Sequence, residues 1–311
     1  MTIGKGTPTV VAPTANTLTY DGTAKALVAA GSATGGALEY ASGADGTAAP
    51  ASGWGTAIPT GTDAGTYYVW YRVTGGDNYH DIAASSVAAT IGKKAATVTA
   101  NPQTVALNGA IDTAVSNAVL SGAADGHTLS VVTLTGSDTA NATASGTITP
   151  SAAKIVSGET DVTENYEITY VNGVLTVSQG ESGVIAPTAK ELTYSGAAQE
   201  LVTAGTATGG AMRYALGTDG SAAPASGYDT AIPTGTDAGT YYVWYKVVGD
   251  ADHTDTAPAC VTAVIGKAAI TPTVAITGWT SGGTANAPSV SGNPGNGTVT
   301  YAYKLKTAVM S

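Results

Sequence analysis

Acidic side chains gather in two loops, Gly75–Asp81 (GGDNYHD) and Gly249–Asp255 (GDADHTD). Asp77, Asn78 and Asp81 in the first, and Asp250, Asp252 and Asp255 in the second, offer the hard oxygen ligands that Ca²⁺ takes. Their spacing is not that of an EF-hand and the two loops order their acids differently, so a solvated loop is the favoured reading and no metal is assigned. The second constellation is aromatic. GTDAGTYYVWY occurs twice, at Gly61–Tyr71 and at Gly235–Tyr245. Tyr68 and Trp70 with the upstream Trp54, and Tyr242 and Trp244 with the upstream Tyr228, could stack on sugar rings or simply cover neighbouring strands. Acid–base or nucleophilic chemistry needs a base fixed beside its partner. The histidines are His80, His127 and His253, and the only cysteine is Cys260. His80 and His253 fall one position out of register between the two stretches, and Cys260 aligns with Ser86. No catalytic residue and no cofactor is assigned, and the chain is expected not to be an enzyme.

The elements that must hold these residues are β-strands. Gly, Pro and Thr recur every few residues, which leaves helix signals almost absent. In a strand, Tyr67, Val69, Tyr71 and Val73 share one face, and Tyr68, Trp70 and Arg72 the other. Arg72, or Lys246 in the later stretch, marks its face as the wet one, which puts the Tyr67 face in the core and leaves Tyr68 and Trp70 for recognition. Further along, NYEITYVNGVLTVSQ reads as two strands joined by a Val-Asn-Gly-Val turn, a hairpin signature.

Composition narrows the job. Charged residues are 11% of the 311, against about 25% in an average soluble protein. Alanine inflates the 43% hydrophobic fraction, so small cores of Val, Ile, Leu and Tyr are expected. With a net charge of −10 and a pI of about 4.5, phosphate neutralisation is poorly served, and neither a nucleic-acid partner nor membrane insertion is expected. The single cysteine permits no intrachain disulfide. The N-terminus lacks the apolar stretch of a signal peptide. No apolar run approaches the roughly 18 residues of a membrane span.

Residues 12–93 align with 186–267 without a gap, Trp70 falling on Trp244, and about two-thirds of the positions are identical. A different unit lies between them, and a shorter one follows. The expected modules are 7–94, 95–180, 181–267 and a partial fourth at 268–311. Seven or so short strands per unit, among them Gly55–Thr60 limited by Pro59, predict an all-β chain of tandem antiparallel immunoglobulin-like β-sandwiches arranged end to end.

The blocks LTYDGTAKALV and GTDAGTYYVWYRV, their later counterparts LTYSGAAQELV and GTDAGTYYVWYKV, and ANPQTVALNG with YEITYVNGVLTV in the middle unit resemble the immunoglobulin-like repeats of bacterial cell-surface proteins, including MBG-type repeats. Asp63, Gly65 and Tyr67, and again Asp237, Gly239 and Tyr241, resemble the tyrosine corner of immunoglobulin domains, with Val69 where a cysteine would stand. The resemblance implies no catalytic residue. It implies a non-enzymatic stalk or spacer of an adhesin-like protein on the bacterial cell surface, extracellular and joined to neighbouring domains of a larger secreted protein. The alternatives are a module binding a glycan or host protein, and an accessory module of a secreted enzyme.

Overall fold

The computed structural model describes residues 2–142, 145–278, 282–284, 286–292 and 298–301. Residues 279–281, 285, 293–297 and 302–311 of the expected fourth module lie outside them. The chain divides into two compact units, Met1–Gly180 and Glu181–Ser311.

In the first unit, residues 18–92 build a four-stranded sheet in the order Leu18–Thr19, Ile82–Gly92, Gly65–Gly75, Gly36–Gly43. The long Gly65–Gly75 strand forms because β-branched and aromatic residues fill nearly every position between Thr66 and Thr74. It runs antiparallel to both neighbours, Val69 facing Val87 and Tyr71 facing Tyr40. Leu18–Thr19 pairs with the end of Ile82–Gly92 in parallel, Leu18 opposite Ile91. Val69 and Val73 are fully buried, and Tyr67 and Tyr71 pack against the same core.

Residues 94–178 add a three-stranded sheet (Ala118–Ser121, Lys94–Ala100, Tyr166–Val171) and a five-stranded one whose main path is Gln103–Ala106, Gly173–Ser178, Gly146–Ser157, His127–Gly136. Val98, Ile148 and Leu175 form one buried cluster in this part. Ala96, Ile155 and Tyr166 instead join the cluster of Tyr20, Leu27 and Val69, so one core runs through both halves of the unit. Asn165 is the one buried polar side chain among the described residues. Its Oδ1 accepts from the Ala64 N–H at 2.6 Å and its Nδ2 donates to Asp63 Oδ1 at 3.0 Å, tying the corner before the long strand to the later sheet.

The second unit reproduces the first copy's sheet as Glu191–Thr193, Ala259–Gly266, Gly239–Gly249, Gly210–Gly217, again with a parallel outer pair. Leu201, Val202, Tyr214, Val243, Ala263 and Ile265 are its core. Thr273–Ala275 and Ser289–Ser291 form a separate two-stranded pair.

This architecture corrects the expected one. The chain is mostly β, but it is arranged as many small sheets of two to five strands and two open half-barrels, and not as stacked immunoglobulin-like sandwiches. The resemblance to immunoglobulin-like and MBG-type tandem repeats fails on the same topology. A sandwich needs two broad sheets packed face to face. Here the partner of each four-stranded sheet breaks into two-residue pairings, Thr14–Ala15 with Val28–Ala29 and Lys25–Ala26 with Thr60–Gly61. Gly, Pro and Ala are too dense in these stretches to sustain a ladder. The strand expected at Gly55–Thr60 reduces to an isolated bridge at Gly55 and a start at Thr60. Nor is Tyr166–Ser178 a hairpin. Tyr166–Val171 pairs in parallel with Lys94–Ala100, Gly173–Ser178 in parallel with Gln103–Ala106, and the turn between them changes sheets. Gly173 permits the crossover, since a Cβ there would stand 2.6 Å from the Ala100 carbonyl oxygen.

Asn165→Ala strands the Ala64 N–H without its acceptor. The expected cost is about 1–3 kcal/mol in the first unit, read as a lower urea midpoint and faster hydrogen exchange at Ala64. An unchanged midpoint would contradict the bridging role.

Candidate functional site

The aromatic face does not lie open. After the Gly36–Gly43 strand the chain turns back across the outer side of the sheet, and Trp70 beneath it is only 5% exposed. Its Nε1 donates to the Asp45 carbonyl oxygen at 2.9 Å. Trp244, 6% exposed, makes the same bond to Asp219 O at 3.0 Å. A buried indole N–H needs such an acceptor. The turn is held by the side chain of the same aspartate: Asp45 Oδ1 accepts from Thr47 N, Thr47 Oγ1 and Ala48 N at 2.7–3.0 Å, and Asp219 does likewise with Ser221 and Ala222. The Thr47 hydroxyl and then the backbone N–H groups hold the Asp45 carboxyl below its ordinary range. The Ser221 hydroxyl leads at Asp219. Tyr68 and Tyr242 are half-buried, their rings against Gly46 and Gly220.

Trp54 caps the far end of this face. Its Nε1 donates to Pro50 O at 2.9 Å, and the Arg72 guanidinium lies over its ring, 4.4 Å from the centroid. Arg72 also pairs with Glu39 on the adjacent strand at 2.8 Å. The second copy keeps the geometry and changes the charges. Arg213 stands opposite Lys246 where Glu39 faces Arg72, and Lys246 lies 5.4 Å from the centroid of Tyr228, which replaces Trp54. Lys246 turns instead to Asp255 at 3.5 Å. Burial, followed by the nearby Cys260, pushes the Tyr228 hydroxyl up, and burial raises the Cys260 thiol.

In the acid-rich loops the carboxylates cap the turns. Asp81 Oδ1 accepts from Gly75 N at 2.8 Å, and Asp255 Oδ1 from Gly249 N at 2.9 Å. Asp250 accepts from Asp252 N at 2.9 Å and lies 2.7 Å from His253 Nδ1, which is the main cause of its lowered pKa. Asp77 and Asn78 are exposed. Among the described residues no three His, Cys, Asp or Glu side chains converge as metal ligands would.

At the corners, Tyr67 Oη donates to Asp63 O and Tyr241 Oη to Asp237 O, each at 2.8 Å. Gly61 and Gly235 sit against the tyrosine rings, and a Cβ on either would come within 2.8 Å of Cζ. Gly65 and Gly239 each open the long strand that follows.

Sequence reasoning passed over a third constellation. Tyr20, His127 and Tyr166 cluster with ring centroids 5.5–6.0 Å apart, and His127 Nδ1 lies 2.6 Å from Tyr166 Oη. Tyr166 Oη also accepts from Ala124 N at 3.0 Å. These residues come from distant parts of the chain. No protein-family model matches the chain, and no curated protein matches it either.

Two outcomes follow. Gly43→Ala forces a methyl into the Trp70 ring. Overpacking of this kind costs about 1–3 kcal/mol, and tryptophan emission should shift to the red as the indole is pushed toward water. Acid should produce a related change. The depressed Asp45 and Asp219 carboxyls contribute stability that is complete above the unfolded carboxylate pKa of about 4. That contribution is lost as pH falls through their lower folded values, so emission should begin to shift below about pH 4. A chain with Asp45→Asn and Asp219→Asn should lose the part of this pH dependence that arises at Trp70 and Trp244.

Proposed function

We propose that the chain is a non-enzymatic, tension-bearing spacer within a larger surface protein. The observation that carries this reading is the way each β segment closes. Near its start and its end, strands lie side by side and parallel: Leu18–Thr19 with Ile82–Gly92, Lys94–Ala100 with Tyr166–Val171, and Glu191–Thr193 with Ala259–Gly266. A pull on the two ends of such a segment loads the joining hydrogen bonds in shear, together. A pull across an antiparallel pair breaks them one at a time.

Copy-to-copy comparison supports the same reading. The residues identical in both copies are the ones that hold the fold: Trp70 and Trp244 on their loop carbonyls, Tyr67 and Tyr241 on their corners, and Tyr40 and Tyr214, whose hydroxyls accept from Gly31 N and Gly205 N at 2.9 and 3.0 Å. Among the positions that differ, Glu39 against Arg213 lies on the outer strand of the sheet and Gly76–His80 against Asp250–Thr254 in the loop beyond it. Selection for a scaffold keeps the first class and lets the second drift.

Forced unfolding reports the barrier to unfolding rather than equilibrium stability, so single-molecule pulling tests the proposal. Loaded through residues 190 and 267, the second copy should resist clearly higher force than when loaded through Gly210 and Gly249, which face each other across an antiparallel pair. Equal forces in the two geometries would remove the basis for a load-bearing role.

A further inference from the structure

The two copies present the same tyrosine in two environments. Tyr20 and Tyr194 follow the same LT dipeptide, and their N–H groups donate to Gly92 O and Gly266 O at 2.9 and 2.8 Å. Their backbones therefore sit alike on their sheets. Yet Tyr20 is 2% exposed and Tyr194 is 44% exposed. What covers Tyr20 is the Asn165–Tyr166 element of the middle segment with His127. Tyr166 packs edge-on at 5.5 Å, His127 lies at 5.9 Å, and Asn165 clamps the neighbouring corner through Ala64 N and Asp63 Oδ1. In the second copy the equivalent corner, Asp237–Ala238, keeps the same sequence, and Ala238 is exposed where Ala64 is half-buried. Gly22 has the His127 ring beside it, whereas the counterpart Gly196 meets only the hydroxyl of Tyr194 within 4 Å.

We infer that the Tyr194–Asp237–Ala238 face of the second unit is a docking surface for a β-module presenting an Asn-Tyr pair like Asn165–Tyr166. The occupant's chemistry is read directly from the covered copy. It supplies a carboxamide that accepts from the Ala238 N–H and donates to the Asp237 carboxylate, and a tyrosine edge that packs on the Tyr194 ring. An acidic residue before the Asn would meet Lys267, as Glu164 lies 3.9 Å from Lys93 in the first copy. A second copy of this chain is the poorer occupant, because its own Asn165 and Tyr166 are already engaged on Asp63, Ala64 and Tyr20. The docking face stands whether or not the chain bears tension.

The test uses the full chain and a synthetic peptide of residues Asp161–Val171 (DVTENYEITYV). Saturable binding is expected, with slowed hydrogen exchange at the Ala238 amide and shifted Tyr194 ring signals. The same peptide carrying Asn165→Ala should bind about tenfold or more weakly, the cost of losing a buried hydrogen bond. Tyr194→Ala in the full chain should abolish binding. Because Tyr194 is exposed, that variant should keep its unfolding midpoint, which separates lost docking from lost folding. Absence of saturable protection at Ala238, or equal binding by the Asn165→Ala peptide, would overturn the inference. Concentration-dependent dimerisation lost in Tyr194→Ala would overturn it too, since the occupant would then be a second copy.

Discussion

A strand with large side chains on both faces must be covered on both, and in this protein the indole N–H of Trp70 decides how the second face is closed. One face of Gly65–Gly75 meets the core through Val69 and Val73. The other carries Trp70, whose donor cannot be buried without an acceptor. Among the described residues no second strand layer lies there to provide one. A turn stabilised by the Asp45 side chain provides it through its own carbonyl, so a single aspartate shapes the cover and satisfies what lies beneath. Asp219 repeats the arrangement for Trp244. With only 11% charged residues and no phenylalanine, the chain has few other means of hiding so much aromatic surface.

The consequence reaches the rest of each sheet. Once the loop lies over the Trp70 face, its far end brings Trp54 above Arg72, and Arg72 becomes half-buried between an aromatic ring and Glu39. The segments on the core side are freed from forming a full second sheet. They need only deliver Leu27 and Val28, which two-residue pairings accomplish. An open sheet with a loop on one side and short pairings on the other is a cheaper way to enclose a small core than two complete layers.

Some of this was legible in the sequence. Strand alternation places Tyr67, Val69, Tyr71 and Val73 on one face whatever the neighbours are, and that face does meet the core. Arg72 misled about the opposite face. A charge suggests water, but its long stem and planar head can lie under an aromatic ring, and Trp54, eighteen residues upstream, stands just before the expected Gly55–Thr60 strand. The expected hairpin at Tyr166–Ser178 failed for a related reason. The local turn signal was genuine, but strand partners more than sixty residues upstream outcompeted the adjacent strand. The aromatic cluster of Tyr20, His127 and Tyr166 depends wholly on such distant pairings, and no local pattern announces it. In the acid-rich loops the oxygen ligands were visible, but their use as turn caps was not, since a carboxylate two residues from a turn looks the same in sequence whether it faces an ion or a backbone N–H.

The glycines beneath the aromatic rings carry a consequence for how such a chain can diverge. Gly43 and Trp70, Gly61 and Tyr67, and Gly46 and Tyr68 each fill one space between them, the ring occupying what a Cβ would need. Neither member of a pair can change size alone. An enlargement at the glycine is viable only alongside a shrinkage at the ring, a double step that passes through an overpacked or hollow intermediate. These couples should therefore behave as locked units during divergence. The three couples and their counterparts are identical across the duplication while Glu39, Gly55, Arg72 and Ser86 have all been replaced. In a wider set of related sequences, the same couples should show up as joint substitutions or as none at all.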